Sequence, residues 1–113
     1  MWVKQQREIC ARWESPFVET AMASFVGVAK TAWQFEMPLN GLRHPVAGSN
    51  SGWFLWGGSE LSEAPDFFEP CHVSHIAEGL PLLMPYLGLA PGWRFLVTPS
   101  YEDVWFDEAL LAV

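Results

Sequence analysis

The chain has 113 residues, half of them apolar and only 17% charged, with 13 acidic against 6 basic side chains and a formal charge of −7. This length is expected to form one domain, 1–113, with a core that needs no staples, and the composition excludes disorder. The charge excludes nucleic acid and anionic membranes, which both require a Lys/Arg face, and favours a basic protein or other cation as partner.

Residues 3–14 are predicted helical: Lys4 to Glu8 are good helix formers, and Ile9 and Trp13 share a face at i, i+4. Ser15-Pro16 reads as an N-cap with proline at N1, which extends the helical segment to residue 24 with Phe17 and Ala21 inward. The core is then 25–113. Phe25–Lys30 is predicted as the first strand. Gln34 to Asn50 reads as a long polar connection containing Arg43 and His44; long ordered loops are often functional.

Asn50-Ser-Gly-Trp-Phe-Leu-Trp-Gly-Gly58 is turn, aromatic strand, turn. Alternation places Trp53 and Leu55 on one side of a sheet and Phe54 and Trp56 on the other. Bulky aromatics suit such a half-buried surface, and the plain reading is core. Ser59 to Cys71 is an acidic loop in which Glu60, Glu63, Asp66 and Glu69 recur every three residues, a spacing that gathers them on one side of a turn or short helix. Its bland reading is a solvated surface.

Ser74 is expected to cap a helix with Ile76, Ala77 and Leu80 inward, followed by a further turn or helix from Pro81 to Leu87 with Gly88 after its end. Trp93–Thr98 and Tyr101–Phe106 form a predicted antiparallel hairpin around Pro99-Ser100. Across it, Arg94 is expected to reach Glu102 or Asp103. The tail from Asp107 adds a short helix or strand. The fold class is α+β, a small mostly antiparallel sheet with helices near 3–24 and 74–87 on one face.

Cys10 and Cys71 form no CxxC pair and are expected free in a reducing cytosol. The N-terminus holds no apolar run of signal length. Gly79–Gly92 carries three prolines and three glycines and would not span a bilayer as a helix. A cytoplasmic location is expected.

Candidate chemistry is sparse. Cys71-His72-Val-Ser-His75 offers three metal ligands, but zinc needs three or four convergent donors and no second cluster answers it. The bland reading is a partly buried histidine pair. No G-x-S-x-G elbow or P-loop occurs, so a small metal-dependent or Cys/His hydrolase around Cys71, His72 and His75 ranks behind a binding module. A carboxylate pair among Glu102, Asp103, Asp107 and Glu108 lacks a basic neighbour in sequence. Exposed Trp33, Trp56 or Trp105 would suit a sugar- or ligand-binding module. No metal, cofactor or catalytic residue is expected.

Pro38-Leu-Asn-Gly-Leu-Arg43, Asn50–Gly58, Phe67-Phe-Glu-Pro70, His72-Val-Ser-His75, Leu87–Leu96 and Tyr101–Asp107, in this order and spacing, resemble a bacterial immunity domain of polymorphic toxin systems, the thirty-third family or its "-like" relative, over about residues 25–111. The resemblance implies a small cytoplasmic α+β protein that binds and neutralises a cognate toxin without catalysis. It supplies no catalytic residues. The surface expected to meet the toxin is then the loop with Glu60, Glu63, Asp66 and Glu69, and second the 38–49 segment with Arg43 and His44.

Overall fold

The computed structural model of the protein describes residues 2–112. Its centre is a six-stranded sheet in the order β4-β1-β3-β2-β5-β6. The strands are β1 (Phe25–Ala29), β2 (Leu39–Arg43), β3 (Asn50–Gly57), β4 (Phe68–His72), β5 (Trp93–Thr98) and β6 (Tyr101–Phe106). Only β1 and β3 run parallel; every other neighbouring pair is antiparallel. Helices α1 (Val3–Trp13), α2 (Lys30–Trp33) and α3 (Val73–Gly79) and a 3-10 helix over Pro81–Tyr86 supply side chains to one core on one face of the sheet. The fold is α+β.

The aromatic strand behaves as its alternation dictates. Trp53 and Leu55 are fully buried in the main core, and the Trp53 Nε1–H donates to Thr20 Oγ1 at 3.2 Å and to the Leu87 carbonyl at 3.1 Å. Burial of the ring thus leaves its one polar atom satisfied. Phe54 and Trp56 point to the opposite face, into a smaller cluster with Ala29, Leu42 and Leu110. The strand enters through Gly52 at φ 89°, where a Cβ would lie 2.0 Å from the His44 carbonyl oxygen; no larger residue fits there.

Besides β4, most of which lies in the stretch Ser59 to Cys71 read as an acidic loop, two segments differ from expectation. Residues 16–24 are not helical. Phe17 bridges Leu89, the Val18 N–H donates to the Gly88 carbonyl at 2.9 Å, and the Val18 carbonyl is taken by Arg43. A helix would have used these groups within itself; here the Val18 N–H is spent on Gly88 and the Val18 carbonyl on the buried Arg43 cation. The second difference is β2, which lies in the segment read as a loop and is an interior strand between β3 and β5. Its turn-forming residues are consumed by tertiary contacts. The Asn40 amide donates to the carbonyls of Gly58 at 2.8 Å and Pro38 at 3.1 Å. A Cβ at Gly41 would lie 2.3 Å from the Phe95 ring.

Smaller corrections follow the same logic. The N-cap of α3 is His72, with no side-chain bond, rather than Ser74. Arg94 pairs with Asp107 at 3.1 Å, not with Glu102 or Asp103. Both cysteines are free; Cys10 is buried and its thiol donates to the Gly88 carbonyl at 3.3 Å.

Candidate functional site

The face of the sheet opposite α1, α2 and α3 is covered only in part. Strand alternation brings Asn40, Leu42, Phe54, Trp56, Phe68, Arg94, Leu96, Asp103 and Trp105 to it. The loop between β3 and β4 lies over the half near β4. Phe67 packs edge-on against Phe68 at 4.8 Å, and Phe68 against Phe54 at 5.1 Å and Trp56 at 6.2 Å. These rings anchor the acidic loop to the sheet. A capped 3-10 turn, Glu108–Leu111, adds Leu110.

Between loop and sheet is a pit of about 200 Å³ lined by Leu42, His44, Phe54, Leu61, Ser62, Glu63 and Phe68. Glu63 and His44, predicted on two separate segments, therefore meet at one opening. His44 Nδ1 donates to the Leu110 carbonyl at 3.0 Å, and its ring meets Phe54 edge-on at 5.6 Å. An apolar floor with a carboxylate at the rim suits a side chain that has an aliphatic stem and a cationic head.

The other predicted residues are dispersed. The loop has no helical turn, so the three-residue spacing does not collect its carboxylates. Glu60 lines a second hollow with Thr31, Glu36 and Phe67, and Asp66 is exposed at a turn. Glu69 lies in β4 opposite Val28, which places it on the other face of the sheet from Phe68. Arg43 is fully buried. Its Nε donates to the Ser51 carbonyl at 2.9 Å and its Nη1 to the Val18 and Leu89 carbonyls at 2.8 and 2.7 Å. Burial lowers its pKa to about 10, so it stays a cation at neutral pH. It ties loops together and has no surface to offer a partner, which removes it from the predicted contact set.

The groups singled out for other chemistries do not converge. Cys71 pairs with Val26 on the core side of the sheet, whereas His72 pairs with Phe25 on the other. His72 stacks on Phe25 at 4.5 Å, and its Nδ1 donates to the Ala23 carbonyl at 2.9 Å. Among the described residues no group of three or more His, Cys, Asp or Glu is placed to hold a metal. Trp56 is only 4% exposed, Trp33 packs near Gly79 of α3, and Trp105 sits beneath Arg94 at 5.5 Å. They form no shared stacking platform.

Sequence reading missed the uncovered half of this face. Leu96, Arg94 and Asp103 are half-buried there beside Trp105, and Tyr101 at the strand end is 56% exposed. The signal was present in the hairpin's alternation, but it does not say whether anything covers the second face.

A single sheet with helices on one face and an acidic loop on the other defines a small α+β protein. The chain matches the family model of the Imm33-like domain over residues 5–107. It belongs to that family. No curated protein and no solved structure matches it.

Proposed function

We propose that this protein is an immunity protein that binds a cognate toxin in the cytoplasm of the cell that makes it and neutralises it by contact, without catalysis. The observation that carries this reading is membership of the Imm33-like family over nearly the whole chain. The charge of −7 supports a basic partner, because complementary fields speed encounter and suppress wrong partners. No described helix is long and apolar enough to cross a membrane.

The contact surface in this reading is the face that carries the acidic loop, with Glu60, Glu63 and Asp66 steering and the pit beside His44 accepting an anchor. A specific interface buries roughly 800 Å² on each side, and a few anchors carry most of its energy. The test is co-production of this chain with each candidate toxin domain found in its genomic neighbourhood, in a host that the candidate alone arrests. Restored growth is the expected result; continued arrest, with both proteins soluble and present, contradicts the proposal.

A further inference from the structure

We propose that Phe35, at the turn joining α2 to β2, is an anchor for a basic protein partner, and that the adjoining hollow between Glu36 and Glu60 takes a lysine or arginine side chain of that partner. This rests on the toxin-binding reading above and specifies where the partner is gripped.

The turn is the C-terminal cap of α2. The Phe35 N–H donates to the Ala32 carbonyl at 3.0 Å and the Glu36 N–H to the Thr31 carbonyl at 3.1 Å. Such a pair of bonds closes a helix around one residue in the left-handed region. That residue is Phe35, at φ 55°. Glycine ordinarily fills this position, because a Cβ there crowds the neighbouring carbonyl. Phenylalanine is the costly choice, and the fold recovers little from it. The ring is 57% exposed and belongs to neither core cluster. A residue held in a disfavoured conformation without a packing gain marks a place where function is served.

Its neighbours continue the pattern. Trp33 and Met37 are 39% and 41% exposed, so three of the five successive residues Trp33 to Met37 present large apolar side chains to solvent. Aromatic rings and methionine are the side chains that interfaces favour. The turn is also fixed in place: the Gly58 N–H donates to the carbonyls of Glu36 at 2.8 Å and Pro38 at 2.9 Å. A knob already ordered in the free protein gives up little entropy on binding.

Charge decides the occupant. Beside the knob lies a hollow of about 380 Å³ whose walls include Thr31, Glu36, Glu60 and Phe67. Both carboxylates are exposed. Among the described residues neither pairs with a cation, Lys30 of α2 included. Two unpaired carboxylates on one hollow favour a cation between them. A second copy of this chain is the poorer occupant, because two molecules of charge −7 repel each other. Glu60 also stands at the start of the acidic loop, so this anchor is continuous with the surface proposed above to steer the partner.

The experiment uses the full chain and a catalytically disabled form of the neighbouring toxin domain from which it rescues growth. Affinity and melting temperature are measured for the wild type, Phe35→Gly and Glu36→Gln. Phe35→Gly is expected to keep or raise the melting temperature, since glycine relieves the positive φ, and yet to bind about tenfold more weakly or worse. Glu36→Gln is expected to bind about threefold more weakly and with less dependence on salt. Unchanged affinity in either variant overturns the anchor and leaves neutralisation standing. A melting temperature lowered by about 5 °C or more in Phe35→Gly assigns the ring to the fold and overturns it too. A dimer of the chain alone in sedimentation that Phe35→Gly abolishes assigns the turn to a second copy, with the same consequence. Failure to rescue growth from, or to bind, any candidate domain overturns both readings.

Discussion

Arg43 shows how one residue organises the loops. It is a fully buried cation whose guanidinium is met by main-chain carbonyls from three segments: Val18, Ser51 and Leu89. Removing it leaves those carbonyls buried without donors. Arg43→Met is therefore expected to cost about 3 kcal/mol or more in urea unfolding. Arg43→Lys should recover only a small part of that, because an ammonium lacks the planar fork.

Glu102 plays the matching role for α1. Its carboxylate accepts from Tyr86 Oη at 2.7 Å, from Trp13 Nε1 at 3.0 Å and from Arg12. Burial pushes this carboxyl up, but the bonds from Tyr86, Arg12 and Trp13 outweigh it and hold the pKa below the ordinary value of 4.5. A carboxyl depressed in the folded state stabilises fully above its unfolded pKa and loses that contribution as pH falls through the folded one. Glu102→Gln should lower stability at neutral pH by about 1–3 kcal/mol and flatten the wild-type decline below about pH 4.5. Chemical denaturation across pH 2.5–7 measures both.

At the scale of elements, what was legible followed from local pattern. The 50–57 strand was readable as a run of large apolar side chains bounded by glycines, and the 93–106 hairpin as two apolar-rich runs separated by the Pro99-Ser100 turn. β2 was hidden because Leu39-Asn-Gly-Leu-Arg carries turn residues and a charge. Its strand geometry depends on partners distant in sequence: Phe95 filling the space above Gly41, and carbonyls that only the fold brings to Arg43. Residues 16–24 misled for the converse reason. Ser15-Pro16 is a sound local start for a helix, but the carbonyls that helix needs are committed to Arg43. The candidate surface was legible only in pieces. Glu63 and His44 were each visible, yet their meeting at one pit depends on the unseen β2.

The turn leading into β3 gives a direct check on this packing. Gly48 and Gly52 both have positive φ, 59° and 89°. A Cβ at Gly48 meets nothing within 4 Å, whereas one at Gly52 strikes the His44 carbonyl oxygen. Gly48→Ala should cost about 1 kcal/mol, the backbone penalty alone. Gly52→Ala should cost several-fold more because main chain has to move. Equal losses in thermal unfolding would contradict this placement of β2 against β3.

For the whole molecule, the division of labour between the two sheet faces matters most. One face is sealed by helices over Trp53, Leu55 and Phe95. The other keeps an acidic loop, a pit and the exposed rings of Tyr101 and Trp105. Charge reversal on the loop separates steering from folding. The triple variant Glu60→Lys, Glu63→Lys, Asp66→Lys is expected to leave the melting temperature nearly unchanged, since all three residues are exposed. It should slow toxin association and reduce its dependence on salt. Unchanged association kinetics would move the contact surface away from the loop.

The most direct measurement is a calorimetric titration of the purified chain with the disabled toxin domain at low and at physiological salt. Saturable one-to-one binding that weakens as salt rises is the predicted result. No binding at either salt concentration, at protein levels where both remain folded and soluble, would contradict the account.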